Sequence, residues 1–189
     1  MRRSTQYAVR STDKEDKVLI AGFGGQGIMF LGKVIALAAS LENREVTYIR
    51  SYGAEMRGGT SHCMVKISRD AIPSPIFEKA NLSIIMNQPS LDKFGNKIEK
   101  KGVLVLNSSL VSRVAKKKGL AIKGLKLNEL AFKLGSAKVA NIIALGLALR
   151  KRPLVKLSSV EEVFKDLFSN KKELLEMNIK ALKLGYKNG

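Results

Sequence analysis

The chain has 189 residues, with 34 Lys and Arg against 16 Asp and Glu, a formal net charge of +18. At 45% hydrophobic and 26% charged it has the composition of a folded protein, not a disordered one, and a chain of this length buries roughly 70% of its unfolded surface without staples. One cysteine, Cys63, excludes an internal disulfide and any cysteine-based zinc or iron–sulfur cage within this chain.

Residues 1–17 form a polar lead, expected to be mobile, and residues 18–189 are expected to form a single α/β domain whose part from about 127 is helical. Met1 to Asp16 contains no apolar h-region, and no later apolar run reaches the roughly 18 residues of a membrane span. A cytoplasmic protein is the expectation. Val18-Leu19-Ile20-Ala21 reads as a buried parallel strand ending at Gly22. Ile28, Leu31, Ile35 and Ala38 recur at helical spacing, which predicts a helix over 27–41, and Glu45–Arg50 is strand-like. The opening is thus a βαβ unit.

Ser51–Thr60 is rich in glycine and polar residues and predicts a loop. A third strand over 61–68 places Cys63, Val65 and Ile67 on one face and His62, Met64 and Lys66 on the other. Pro73 and Pro75 mark an extended connection. Leu82–Asn87 reads as a buried strand, 90–100 as a short helix with Leu91, Phe94 and Ile98 inward, and Val103–Leu106 as a further strand. A short strand is expected around 120–122. Helical periodicity then marks 128–134, 137–149, 160–168 and 171–184. Ser159 stands three residues before Glu162, a capping-box pattern, and Asn141, Ile142, Leu145 and Leu149 form one stripe on the middle helix. The fold class expected is an open, mostly parallel α/β sheet with flanking helices, a Rossmann-like opening and a helical C-terminal portion.

The charge alone names no function. Between 93 and 126 the basic residues Lys93, Lys97, Lys100, Lys101, Arg113, Lys116, Lys117, Lys118, Lys123 and Lys126 face a single acid, Glu99, but they are dispersed among Val, Leu and Ile, as on the polar faces of folded elements. Aromatics are 6% with no Trp, so there is little on which to stack bases. A solvated basic surface or a docking face for an acidic partner fits better than a nucleic-acid interface, with an anionic ligand between the two.

Gly22-Phe23-Gly24-Gly25-Gln26-Gly27 satisfies G-x-G-x-x-G between a strand and a helix. Gly22 permits the tight turn, Gly24 lets backbone approach a ligand or a neighbouring element, and Gly27 lets the helix pack close to the strand. The helix start offers free N–H groups to an anion. A ribose carboxylate is missing, since the next strand ends Ile49-Arg50-Ser51. Arg50 could serve a 2′-phosphate, and a packing turn explains the glycines equally well. In the second loop, Arg57 backed by Gly58-Gly59 could present a guanidinium fork and open N–H groups to an anion, or form a plain surface turn.

Together the two loops are more specific than either alone. Val-Leu-Ile-Ala-Gly-Phe-Gly-Gly-Gln-Gly (18–27), Ser-Tyr-Gly-Ala-Glu-Met-Arg-Gly-Gly-Thr-Ser (51–61) and Ile-Pro-Ser-Pro (72–75) resemble the gamma subunit of the 2-oxoacid:acceptor (ferredoxin) oxidoreductases, most like its 2-oxoglutarate branch. Related pyruvate, branched-chain 2-oxoacid and indolepyruvate enzymes carry variants of the loop. The resemblance implies a subunit inactive alone, in an enzyme that decarboxylates 2-oxoglutarate oxidatively to succinyl-CoA and passes electrons to ferredoxin, flavodoxin or another acceptor. A pyruvate or branched-chain enzyme is the alternative. It implies thiamine diphosphate, Mg²⁺ and iron–sulfur clusters on alpha, beta or delta partners, and coenzyme A as co-substrate. No catalytic or metal-binding residue is expected here, and the candidate cofactor contacts are Gly24, Gly25, Gln26, Gly27, Tyr52, Arg57, Gly58 and Gly59.

Outside those loops, Cys63 reads as a small core residue and His62 as structural or exposed, and alternation separates them. Tyr52 and Glu55 are candidates for the site's rim, with Glu55 also placed to pair with Arg57 or Arg50. Asn87-Gln88-Pro89 could approach the same rim or simply cap a helix. A stand-alone nucleotide-binding oxidoreductase is the competing class of function.

Overall fold

A computed structural model describes residues 15–51, 60–114 and 119–189. Its strands are β1 (Glu15–Phe23), β2 (Glu45–Ser51), β3 (Thr60–Ser68), β4 (Ala80–Ile85), β5 (Ile98–Asn107) and β6 (Ala121–Leu125), in one sheet of order β2-β3-β1-β4-β5-β6. The helices are α1 (Ile28–Leu41), α2 (Gln88–Phe94), α3 (Leu127–Lys133), α4 (Ala140–Lys151), α5 (Leu157–Leu167) and α6 (Lys172–Lys187). β1, β4, β5 and β6 pair in parallel, while β3 runs antiparallel to both β1 and β2. The mostly parallel α/β class is as expected. The opening unit is split, however: β2 runs with β1, but β3 lies between them. Burial explains the order, because β3 buries its second half while no residue of β2 is fully buried, so β2 takes the edge.

The sheet is covered unequally. Val18, Ile20, Cys63, Val65, Ile67, Leu82 and Ile84 face α1 and α3–α6 across the larger core. Leu19, Ala21, Ile85, Leu104 and Leu106 face the short α2 and the loop bearing Val111. Alternation along β1 and β3 sends successive side chains to the two layers. α1 approaches the sheet closely at Gly32, where a Cβ would stand 2.6 Å from the Cys63 Sγ and 2.7 Å from Tyr48 Cε2. The Tyr48 hydroxyl donates to the Met29 carbonyl at 2.6 Å, fixing the same contact. α4 and α6 meet through Gly146 and Gly185, each so near the other helix's carbonyls that a Cβ has no room.

Several local expectations are corrected. β1 starts at Glu15, three residues inside the expected polar lead, because Asp16 is fully buried against two arginines and Asn81 clasps the strand, its Nδ2 donating to the Glu15 carbonyl (3.0 Å) and its Oδ1 accepting from the Lys17 N–H (2.9 Å). The helix expected over 90–100 ends at Phe94, followed by a 3₁₀ turn, and Ile98–Lys100 belong to β5. The strand expected around 120–122 is β6, Ala121–Leu125. α4 is buried all round from Ala140 to Leu149, not along one stripe, because it is sandwiched between the sheet and α6. Ser159 lies inside α5, whose N-cap is Lys156, so the capping box with Glu162 does not form.

Candidate functional site

The carboxyl ends of β1, β4 and β5 converge on one rim. After Phe23 the chain turns through Gly24–Gly27 into α1, and the Gln26 N–H donates to the Phe23 carbonyl at 3.2 Å. Gly25 and Gly27 have φ of +87° and +72°, a conformation that favours glycine. A Cβ on Gly22 would lie 2.6 Å from both the Gln26 Oε1 and Ile28 Cδ1, and one on Gly27 would collide with the Asn141 side-chain amide. Those glycines serve the fold. Gly24 does not share their reasons: it is exposed, has no left-handed φ, and a Cβ there would meet nothing within 4 Å.

Gln26 folds beneath the turn. Its Oε1 accepts from the Phe23 N–H (2.7 Å) and from Asn87 Nδ2 (2.8 Å), and its Nε2 donates to the Met86 carbonyl (3.4 Å). Asn87 in turn caps α2, its Oδ1 accepting from the Ser90 N–H at 2.9 Å. Asn107, at the end of β5, donates to the Met86 carbonyl (3.4 Å) and to Asn128 Oδ1 (2.9 Å). Asn141 donates to the Gly27 carbonyl (3.2 Å), tying α4 to the start of α1. Neutral amides thus satisfy one another across the ends of three strands and fix the rim without a charge.

The crevice between β1 and β4 is the switch point of this sheet, where α1 leaves on one face and α2 on the other, and where open α/β sheets bind ligands. Here the Gln26–Asn87 bond bridges it. Gln26 and Gly27, expected as cofactor contacts, therefore hold the turn, while Gly24 and Gly25 are the members open to solvent. Tyr52, Arg57, Gly58 and Gly59, with Glu55, lie outside the described residues. The residues that flank them end at this rim: Ser51 pairs with His62 and Thr60 with Phe23. Asn87 stands at the rim and caps its helix at once, so both readings of it hold. Asn107 and Asn128 were not singled out by sequence, and Asn141 only as part of a helix stripe; for Asn107 the available signal was an apolar strand closing on asparagine, Val-Leu-Asn at 105–107, as in Ile-Met-Asn at 85–87.

Neither Cys63 nor His62 joins the rim network. Cys63 is buried under α1, and burial pushes its thiol up to about 12, outweighing a hydrogen bond from the Gly32 backbone that favours the thiolate. His62 is on the opposite face, its ring 4.6 Å from that of Phe94, with a pKa lowered first by burial and then by Lys97 and Lys93. The described residues contain no group of three His, Cys, Asp or Glu placed to hold a metal ion.

Comparison with known proteins agrees with this architecture. The chain is 37% identical over 175 residues to the ketoisovalerate oxidoreductase subunit VorA of Methanothermobacter thermautotrophicus, covering 90% of this chain but 36% of that one. It is 32% identical over 181 residues to the 2-oxoglutarate synthase subunit KorC of Methanocaldococcus jannaschii, covering 94% and 95%. The crystal structure of a keto/oxoacid ferredoxin oxidoreductase gamma subunit from Geobacter sulfurreducens superposes with a TM-score of 0.78 at 27% identity, over 92% of this chain and 97% of that one. The chain spans about a third of the length of its VorA relatives, 36%, and almost all of KorC, 95%. Residues 17–188 match the model of the pyruvate ferredoxin/flavodoxin oxidoreductase family, and the chain belongs to that family.

Proposed function

We propose that this chain is the gamma subunit of a multi-subunit 2-oxoacid:acceptor oxidoreductase and works only in the assembled enzyme. The observation that carries this reading is the end-to-end match to KorC, a chain of nearly its own length. In the assembled enzyme, thiamine diphosphate with Mg²⁺ and the iron–sulfur clusters sit on alpha, beta or delta partners. What supports this part of the reading is the single cysteine, since an iron–sulfur cluster is held by several cysteine thiolates. The complex oxidises 2-oxoglutarate with coenzyme A to succinyl-CoA and carbon dioxide, and ferredoxin or flavodoxin takes the electrons. Arg57, with Tyr52, Gly58 and Gly59, supplies this chain's contacts to the anionic groups of coenzyme A, together with the backbone of the exposed Gly24 and Gly25.

A second reading of the substrate, a branched-chain 2-oxoacid, is favoured by the 37% identity to VorA. The stand-alone nucleotide enzyme is disfavoured by Gln26, whose side chain occupies the crevice a dinucleotide needs and which no ribose-binding carboxylate follows. The test is purification of the complex through a tag on this chain, then assay of coenzyme A-dependent dye reduction with 2-oxoglutarate, pyruvate, ketoisovalerate and indolepyruvate. Larger partners carrying thiamine diphosphate and iron, with highest kcat/KM on 2-oxoglutarate, are expected. Highest kcat/KM on ketoisovalerate would install the second reading. Recovery of the chain alone, without activity on any of the four, would end the proposal.

A further inference from the structure

A chain of net charge +18 keeps one acidic helix. α5 carries Glu161, Glu162 and Asp166 against Lys165, and of the six described helices it is the one with a net negative charge. Glu161 pairs with Lys183 at 3.1 Å. Glu162 and Asp166, both exposed, stand one turn apart on one stripe, where like charges repel.

α5 packs antiparallel to α1, since Glu42 meets Lys156 and Ser159 at one end while the rings of Phe30 and Phe168 lie 6.0 Å apart at the other. Between the two helices is a cavity of about 180 Å³, lined by Leu37, Ser40 and Leu41 from α1 and by Val163, Asp166 and Leu167 from α5. Leu37 and Leu41 keep 38% and 47% of their surface exposed there. The cations on these two helices are Lys33, one turn before Leu37, and Lys165.

The start of β1 lies next to this groove. Asp16 is bound by Arg44, three residues past Leu41. The fourteen residues before Glu15, outside the described ones, carry Arg2, Arg3, Arg10 and Lys14 against Asp13, around the apolar run Tyr7-Ala8-Val9. Tyr7 is nine residues before Asp16, a reach of about 30 Å when extended. That exceeds the three residues and two side chains between Asp16 and Leu41. An open apolar groove is therefore within reach of an apolar run, and the one acidic helix is within reach of a basic segment. Burial supplies the attraction and the opposite charges set the register.

We propose that residues 2–10 of this same chain occupy the groove between α1 and α5, with Tyr7 and Val9 on Leu37 and Leu41. Following the direction of the groove from its Glu42 end, Arg10 meets Glu162 and Arg2-Arg3 meet Asp166. The segment then covers two leucines and relieves the repulsion along α5. This holds whichever 2-oxoacid the assembled enzyme takes.

The sole native cysteine is buried, so an introduced pair can be read without it. In the full chain, Tyr7→Cys is combined with Leu37→Cys or, as a control on the opposite face of the sheet, with Lys93→Cys, and oxidised with diamide at low protein concentration. An intramolecular disulfide forming about ten-fold or more faster with Leu37→Cys is expected, because docking raises the local concentration. Glu162→Lys with Asp166→Lys slows that pair towards the control, and Arg2→Glu, Arg3→Glu and Arg10→Glu in the same background restore it. Amide hydrogen exchange over 37–41 and 163–167 rises in a chain lacking residues 2–12. Equal rates for the two pairs, a disulfide-linked dimer as the main product with Leu37→Cys, or exchange unchanged by the deletion overturns the proposal. So does a groove protected in the tagged complex whether or not residues 2–12 are present, which would give it to a partner subunit.

Discussion

Gln26 and Asn87, 61 residues apart in sequence, share a 2.8 Å hydrogen bond that bridges the crevice between β1 and β4. The same Gln26 oxygen accepts from the Phe23 N–H at 2.7 Å, so one amide sets the shape of the glycine turn and its distance from the next parallel strand. Gln26→Ala leaves two donors without their acceptor. An unsatisfied buried donor costs about 1–3 kcal/mol, so the urea midpoint falls by that equivalent while the helical content stays unchanged. An unshifted midpoint would show that water replaces the amide freely and that the turn does not depend on it.

At the other end of β1, the Asp16 side chain is completely buried, with Arg44 Nη2 at 3.2 Å and Arg152 Nη2 at 2.8 Å from its oxygens. Arg44 also donates to the Leu154 carbonyl at 2.7 Å, so the group joins the start of β1 to the α1–β2 corner and the end of α4. Asp16→Ala strands two largely buried guanidinium groups and costs about 3–5 kcal/mol. By contrast, Lys126 and Glu129 pair at 3.1 Å with side chains 68% and 56% exposed, and Lys126→Ala costs about 0.5 kcal/mol or less. Denaturant unfolding of both variants checks the ranking, and comparable losses would contradict it.

The N-terminus of α5 is capped from another helix. Glu42 Oε1, just past the end of α1, accepts from the Lys156 N–H at 2.6 Å and from the Ser159 hydroxyl at 2.8 Å. Glu42→Ala is expected to cost about 1–2 kcal/mol through loss of the cap and of the carboxylate's interaction with the helix dipole. Glu162→Ala, at the exposed position a local capping box would use, stays within about 0.5 kcal/mol. Thermal melts decide between them. A larger loss at Glu162 would restore the local cap.

These contrasts show what was legible in the sequence. Strands with apolar runs, 18–21 and 82–86 (the second interrupted by Ser83), and the Gly24–Gly27 turn were readable because their signals are local: period, glycine and strand-to-helix context. Cys63 and His62 were correctly separated by strand alternation. The insertion of β3 between β1 and β2 was not readable, because strand order depends on which strand buries more surface once the helices are in place. Nor was the Glu42 cap, because Ser159 with Glu162 satisfies the local pattern while the true acceptor is 114 residues from the N–H it caps. Ile98 reads inward on a helix and equally inward on a strand, and pairing with Ala80 settles it as β5. At the rim, asparagines after strands read singly as caps. Only the fold shows Asn87, Asn107, Asn128 and Gln26 as one network.

His62 offers a titration that a single resonance can follow, because it is the only histidine. Its ring is half-buried against Phe94, and burial, then Lys97, then Lys93 hold its pKa below the ordinary 6.5. The unfolded chain therefore binds the proton at higher pH than the folded one. This term is fully present above pH 6.5 and is lost as pH falls through 6.5 and then through the folded pKa, below which the loss is complete. Proton NMR of the His62 ring should give a midpoint below 6.5, moving upward in Lys97→Gln as a neighbouring cation is removed. His62→Gln should flatten the part of the acid limb of the stability curve that this term supplies. A midpoint at or above 6.5 would mean that the ring is more solvated than its packing on Phe94 implies. An unmoved midpoint in Lys97→Gln would remove that lysine from the cause and leave burial with Lys93 to account for the shift.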